Sequence, residues 1–349
     1  MKVHKLPEKA FTPKPEWVEA GHYKPCNDAR TEIDLEAVDR FCYWMHERQE
    51  IWYRRHVLKE DAPWTNDPIL RDYRFTHPIR DIDRVSLYYR AVILTRLEDT
   101  RESKVNLLFN TIVFRMFNRP EIWEIIGYID TENGNVLRRL EMAKNRLTNL
   151  KLRGMPLFTG AYTTAPMQTI REHYKVQGGE RGGEKLTNAF LVLRYVYSNL
   201  DEIYRGAIEL ADTMAEQLEV FQSIPGIGAF NAYEWACDLC MAERYTGIPM
   251  VPWDDDSDTN LGPGARKGLK RIFIDTGNLT ARQAFFTLAS LMPHFFTTLG
   301  YADTMKWTKG VDRFNLRVIE HSLCEFQKYE RARTGGTKPR QRFQGGVVT

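Results

Sequence analysis

The chain has no apolar run that approaches the ~20 residues a membrane helix needs. Its start, MKVHKLPEKAFTPKPEW, lacks the apolar core of a signal peptide, so the cytoplasm is the expected compartment and no membrane partner is expected. Cysteine is scarce, five in 349 residues, which excludes a disulfide framework and suits a reducing compartment. Cys237 and Cys240 form a C-x-x-C, but no second C-x-x-C or H-x-x-H follows to complete four metal ligands. Both fall on one face of an apparent helix, AYEWACDLCMAERY, where core packing outweighs metal binding. No charge of one sign dominates: Lys+Arg 49 against Asp+Glu 46 gives +3, which neither demands nor excludes nucleic acid. A phosphate-binding loop is missing too. In KVQGGERGGEKL, Gly183 is followed by Glu184 before Lys185 and Leu186, and no strand precedes it, so a nucleotide-kinase reading fails and a linker or lid remains. Strand-like alternation is scarce, and no internal repeat is visible.

What the sequence does carry is helical periodicity. EIDLEAVDRFCYWMHERQEIWYRRHVL places Leu35, Val38, Phe41, Cys42 and Met45 on one stripe with charges opposite. KVNLLFNTIVFRMFN is apolar nearly all round and predicts a buried helix. KLTNAFLVLRYVYSNLDEIYRGAIELADTMAEQLEVF predicts at least two helices broken near Asn199, and TARQAFFTLASLMPHFFTTLG and DRFNLRVIEHSLCEFQKYERA add more. The expected fold is all-α. The first 30 residues are Pro-rich and read as a surface arm, 31–325 as a single helical domain, and 326–349 as a basic extended tail.

IPGIGAFNAYEWACDL is the first stretch with chemistry in it. Pro225, Gly226 and Gly228 predict a tight hairpin between a helix ending near Phe221 and one starting near Ala229, inside a helix-hairpin-helix spanning about 208–243. Glycines expose consecutive backbone N–H groups there, and the following helix N-terminus adds partial positive charge, so Gly226 and Gly228 are candidates for holding a DNA phosphate. An ordinary helix–helix turn is the alternative. Downstream, GIPMVPWDDDSDTN clusters Asp254, Asp255, Asp256 and Asp258 beside Trp253, either as a general base and cation-stabilising site or as a solvated acidic turn. Upstream, PWTNDPILRDYRFTHPIRDIDRV packs Arg71, Arg74, Arg80 and Arg84 around Asp81 and Asp83. FNTIVFRMFNRPEIW then inserts Asn110, Arg115, Asn118 and Arg119 into an otherwise buried helix. Arg115 there is costly unless paired or aimed at an anion. A structural salt-bridge network and a bidentate anion pocket both satisfy that condition.

The hairpin followed by an acidic segment is similar to helix-hairpin-helix DNA glycosylases, in which a P-V-D-T segment carries the catalytic aspartate, although the spacing here is several residues longer. The lyase-type members use a lysine two residues beyond the last hairpin glycine. That position is Phe230, so a Schiff-base nucleophile is not available there. Over most of the chain, WTNDPILRDYRFTHPIRDIDRV, FNTIVFRMFNR, FTGAY, IPGIGAFNAYEWACDL and LGPGARKGL occur in order. In this it resembles the phage alpha-glutamyl/putrescinyl thymine pyrophosphorylases, or amino acid:DNA transferases. The same helical module occurs fused to, or beside, 5-hydroxymethyluracil DNA kinases.

That resemblance implies a glycosylase-like helical fold, double-stranded DNA with modified thymine as substrate, and an amino acid such as glycine or glutamate, or a polyamine, as co-substrate. It implies displacement of pyrophosphate from 5-hydroxymethyluracil by an amine after the nucleotide is flipped out. It implies Asp254 and Asp256, then Asp83, as bases that neutralise the amine. Arg84, Arg115 and Arg119, then Arg266 and Lys267 of GPGARKG, would receive the leaving group. Tyr162, Asn110 and Trp253 would face the base, although Tyr162 reads equally as a buried structural residue. No resident cofactor or metal is implied beyond Mg²⁺ accompanying pyrophosphate. A partner kinase fits the missing phosphate-binding loop. A monofunctional glycosylase and a non-catalytic helical module that brings a kinase to DNA are the competing expectations.

Overall fold

The periodic stretches of the sequence become helices because their apolar residues recur every three or four positions and can be buried together. A computed structural model of the protein describes residues 3–5, 11, 13–24, 31–159, 168–175, 184–339 and 341–343. The chain forms two compact units: residues 1–83 with 259–349, and residues 84–258. The helical region expected over 31–325 spans parts of both units, one of which is discontinuous in sequence.

The first leg of the discontinuous unit carries β1 (Val3–Lys5), α1 (Pro15–Glu19), β2 (Glu32–Asp34), α2 (Leu35–Trp52) and α3 (Pro68–Asp72). The Asp34 carboxylate caps α2 by accepting from the Glu36 and Ala37 amides, and Asp67 caps α3, which opens on Pro68. A π-turn over Tyr53–Val57 ends α2 and presents Arg54, Arg55 and His56 in succession.

The inserted unit carries α4 (Arg84–Tyr88), α5 (Arg101–Phe117), α6 (Pro120–Ile126), α7 (Val136–Leu152), α8 (Gln168–His173), α9 (Glu184–Ser198), α10 (Leu200–Tyr204), α11 (Met214–Ser223) and α12 (Ala229–Thr246). Helix α5 is buried continuously from Val105 to Phe117, as its all-round apolarity predicts. It stops where Asn118 takes the left-handed conformation at φ 53°. Phe109, Phe114 and Phe117 enter the core of this unit, each side chain contributing about 1.5–3 kcal/mol by leaving water. The break expected near Asn199 is present, separating α9 from α10.

The returning leg carries α13 (Pro263–Ile272), β3 (Phe273–Asp275), α14 (Ala281–Thr298) and α15 (Leu316–Arg333). Strands β1, β2 and β3 pair antiparallel in that order, with His4 opposite Ile33 and Ile33 opposite Phe273. The protein is therefore mainly α-helical with one small sheet. Thr280 and Gln283 close a capping box at the start of α14. Two glycines one helical turn apart let α13 lie directly on α15. A Cβ at Gly268 would stand 2.2 Å from the Leu323 carbonyl oxygen, and one at Gly264 would stand 2.3 Å from Cys324 Sγ. Helix α15 runs through the boundary expected at 326, burying Phe326, Tyr329 and Glu330, because its apolar stripe continues beyond that point. Only after Arg333 does the chain leave the helix, and it then lies along residues 72–74: the Arg74 amide donates to Gln341 and the Phe343 amide to Asp72.

Candidate functional site

Between α11 and α12 the chain makes a short turn over Ile224–Gly228. Ile224 and Ile227 turn inward, and the Ile227 amide donates to the Ile224 carbonyl at 3.0 Å. Gly226 holds φ at +85°, a conformation side chains resist. Gly228 differs: its φ of −101° suits any residue, and a Cβ there would meet nothing within 4 Å. The missing side chain at Gly228 serves no contact inside the protein and leaves the outer face of the turn open. Gly228, at the N-cap of α12, has no side chain with which to cap the helix, and a helix N-terminus favours an acceptor. Phe230 is exposed on the first turn of α12. Cys237 and Cys240 are buried in the core, and burial pushes the Cys240 thiol well above its ordinary range.

Arg115 corrects one expectation. It is 1% exposed and bound to a carboxylate the sequence reading passed over, Asp238 of α12. Its Nη2 donates to Asp238 Oδ1 at 2.7 Å, its Nε donates to Oδ2, and Nη1 donates to Asn118 Oδ1 at 2.8 Å. Enclosed and bidentately paired, Arg115 is not open to a leaving group, and the structural-network reading describes it. Asn110 is corrected in the same way. At 0% exposure it donates to the Asn106 and Ile129 carbonyls and accepts from the Ile129 amide, splinting the segment after α6 to α5 rather than facing a base.

The acidic loop is not the solvated turn of the alternative reading. Asp255, Asp256 and Asp258 are buried, and Asp254 is half-buried. Asp254 Oδ1 accepts from the Asp256 amide at 3.0 Å and from Ser257 Oγ at 3.2 Å, which folds the loop upon itself. Asp255 takes Arg244, in the last turn of α12, with Nη2 to Oδ1 at 2.6 Å. Arg244 is a second residue the sequence reading passed over. The structure thus keeps Asp254 and Asp256 together in one loop. Trp253 packs against the core of the inserted unit beside them.

Arg84 and Arg119 are brought together on Glu121. Arg84 Nη2 donates to Glu121 Oε1 at 2.7 Å, and Arg119 Nε lies 3.6 Å from Oε2. Arg84 keeps 58% of its side-chain surface, so an anion can reach it. Burial pushes the Glu121 carboxyl up, but backbone hydrogen bonding and Arg84 outweigh it and hold the group below its ordinary range.

In the discontinuous unit, Asp83 forms an ion pair with Arg80 and accepts from the His77 amide at 3.3 Å. Asp81 is buried against Arg317 of α15, Nη1 to Oδ1 at 3.3 Å. Arg266 and Lys267 lie on the exposed side of α13 with Lys270 and Arg271. At 100° per residue these four cations cover an arc of about 140°. The helix contains no acidic residue. The glycines of LGPGARKGL serve the crossing with α15, and the cations between them form an outward basic face.

Tyr162 and the glycines of the 175–186 loop fall outside the described residues. Among the described residues no group of three or more His, Cys, Asp or Glu side chains is placed to hold a metal ion, and no helix is long and apolar enough to cross a membrane. What the inserted unit offers chemically is a glycine turn at a helix start and an accessible arginine, Arg84, with Arg119 beside it on Glu121, suited to phosphate, and a loop of carboxylates suited to proton transfer.

Residues 35–338 match the family described as the helical domain of 5-hmdU DNA kinase. The chain is similar to the 5-hmdU DNA kinase of Bacillus phage SP10, with 34% identity over 320 residues, covering 90% of this chain and 49% of that protein. It therefore spans about half the length of that relative. No solved structure matches the chain.

Proposed function

The chain belongs to the family of the 5-hmdU DNA kinase helical domain, and from that premise we propose that it completes thymine hypermodification in phage DNA as an amine transferase. The observation that carries this reading is the family match over residues 35–338, joined by the Arg84–Arg119–Glu121 cluster and the acidic loop of the inserted unit. The chain shares the helical part of a kinase, and in this reading it acts at the step after phosphorylation. Its substrate would be duplex DNA in which the 5-hydroxymethyl group of a thymine analogue already carries pyrophosphate.

In the reaction, the bond from the 5-methylene carbon to the pyrophosphate oxygen breaks, and that oxygen keeps the electron pair. A bond from the same carbon to the amine nitrogen forms. The proton lost by the amine passes to a carboxylate, for which Asp254 and Asp256 are the candidates, with Asp83 behind them. Arg84 and Arg119 would take up the charge of the departing pyrophosphate, with or without Mg²⁺ travelling on it. The Gly226–Gly228 turn and the basic face of α13 would hold backbone phosphates. A helix-hairpin-helix, glycosylase-like arrangement would present the target base flipped out of the stack.

The test is to incubate the protein with duplex DNA bearing pyrophosphorylated 5-hydroxymethyluracil and a panel of amino acids and polyamines, then digest and weigh the nucleosides. Release of pyrophosphate with a heavier nucleoside supports the transferase. An unchanged nucleoside with every amine, from folded protein, refutes it.

One observation favours a second reading. The SP10 relative is named a kinase and this chain spans only 49% of it, so the helical part can serve as a non-catalytic DNA-holding module beside a kinase. That reading requires DNA binding without turnover, and Asp254→Asn with Asp256→Asn would leave kinase stimulation unchanged.

A further inference from the structure

We propose that Arg48 and His77, with Arg55 and Arg74, form a binding site for a phosphate-class oxyanion in the discontinuous unit. The proposal does not depend on the transferase reading.

The case begins with Arg48. It lies on the buried stripe of α2, four residues beyond Trp44 and three beyond Met45, and is 5% exposed. Its Nε and Nη2 both donate to the Phe75 carbonyl, at 3.1 and 3.0 Å, and Nη2 also lies 3.2 Å from His77 Nε2. A guanidinium only donates, so His77 Nε2 accepts and the ring proton sits on Nδ1. Two enclosed donors are then left over. Arg48 Nη1 and His77 Nδ1 are buried with no hydrogen-bond partner among the described residues. Both lack an acceptor, and neither can supply one to the other.

The surrounding charges sharpen this. Arg74 and Arg55 lie close enough to Arg48 to weaken its hold on its proton, against the opposing pull of Asp83 and Glu325. For Arg48 burial acts first and the ordinary value falls to about 10. Arg55 is lowered by burial and then by Arg74. His77 is held neutral by burial and then by Arg48. The neighbouring carboxylates are engaged elsewhere: Asp83 with Arg80, Glu325 with Lys328 and the Thr76 amide, and Asp81 with Arg317. None of Arg48, Arg55 and Arg74 has an ion-pair partner within 4.0 Å among the described residues. Arg55 is kept in place by Trp64, whose ring lies 5.0 Å from its guanidinium carbon. A desolvated Arg48 with a spare donor beside that of His77, two further cations nearby and no carboxylate within 4.0 Å of these arginines among the described residues call for a multiply charged acceptor, and tetrahedral phosphate oxygens match that need better than one carboxylate.

Two sources carry this chemistry, a free or base-linked pyrophosphate and a phosphate of the DNA backbone, and the experiment separates them. The full-length protein is titrated calorimetrically with inorganic pyrophosphate and, in parallel, by fluorescence anisotropy with an ordinary unmodified duplex. Arg48→Met and the exposed Arg74→Gln are compared with wild type, with circular dichroism to verify folding. A loss of roughly tenfold or more in pyrophosphate affinity in both variants assigns the site to pyrophosphate. The same loss for the duplex alone, with the salt slope reduced by about one per cation removed, assigns it to the backbone. The imidazole ¹⁵N resonances of His77 should shift on addition of the ligand that binds. If neither ligand loses affinity in Arg74→Gln, or if the His77 resonances stay fixed through both titrations, the donors are met by water and the proposal is overturned.

Discussion

Arg115 and Arg48 are both buried guanidiniums on the apolar side of a long helix, yet they hold opposite positions in the protein's electrostatics. Arg115 is closed off by Asp238, Asn118 and Ser86. Arg48 has a carbonyl oxygen and an imidazole nitrogen, and among the described residues no carboxylate within 4.0 Å. The helices that carry them do not distinguish the two. The difference lies in whether a carboxylate arrives from elsewhere in the chain: one does for Arg115, 123 residues later. A buried arginine with such a partner is part of the core, and one without it is available to a ligand.

The widest separation between the two should appear on truncation. Arg115→Met strands a buried Asp238 carboxylate and should cost about 3–5 kcal/mol in urea unfolding. Pairing it with Asp238→Leu should recover much of that loss, because the removed charges were each other's cost. An intermediate effect is expected from pH. His77 is held below its ordinary 6.5 by burial and then by Arg48. As pH falls below about 6.5 the unfolded chain takes up a proton that the native state refuses, so stability is full above that point and declines below it. A loss on the order of 1 kcal/mol between pH 7 and 5.5, largely removed by His77→Gln, would place the sensitivity on the Arg48 side. His46 and His56, also lowered by burial, should add smaller amounts because both are partly exposed. The smallest change should come from Arg48→Met, at most about 1 kcal/mol, since the lost bonds to Phe75 are offset by removal of an unneutralised cation. A loss for Arg48→Met as large as for Arg115→Met would erase the distinction.

The helices were legible because each buries a stripe or a whole surface that recurs at helical spacing, and α5 and α12 follow their patterns from end to end. Division into two units was not legible. It depends on meetings such as Tyr329 with Asp67, 2.7 Å apart across 262 positions, which no local pattern announces. Asp238 stood in plain view within the hairpin stretch, but its role needs α5 beside it. Arg48 did leave a signal: it falls on the same stripe as Phe41 and Met45, where a charge is out of place. LGPGARKGL could be read as a close helix crossing as readily as a phosphate cradle, since two small residues four apart serve both.

The interruption of one unit by the other also orders events on the ribosome. Residues 84–258 are contiguous, so their core can close as soon as that stretch has emerged. The apolar face of α2 must wait for α13, α14 and α15, which are synthesised more than 200 residues later. Until Leu316–Arg333 is made, Phe41 lacks the Phe326 ring it packs on, and the first leg remains a nascent segment that chaperones can engage. A truncation from the C-terminal side should therefore leave the middle of the chain able to fold and the beginning unable to.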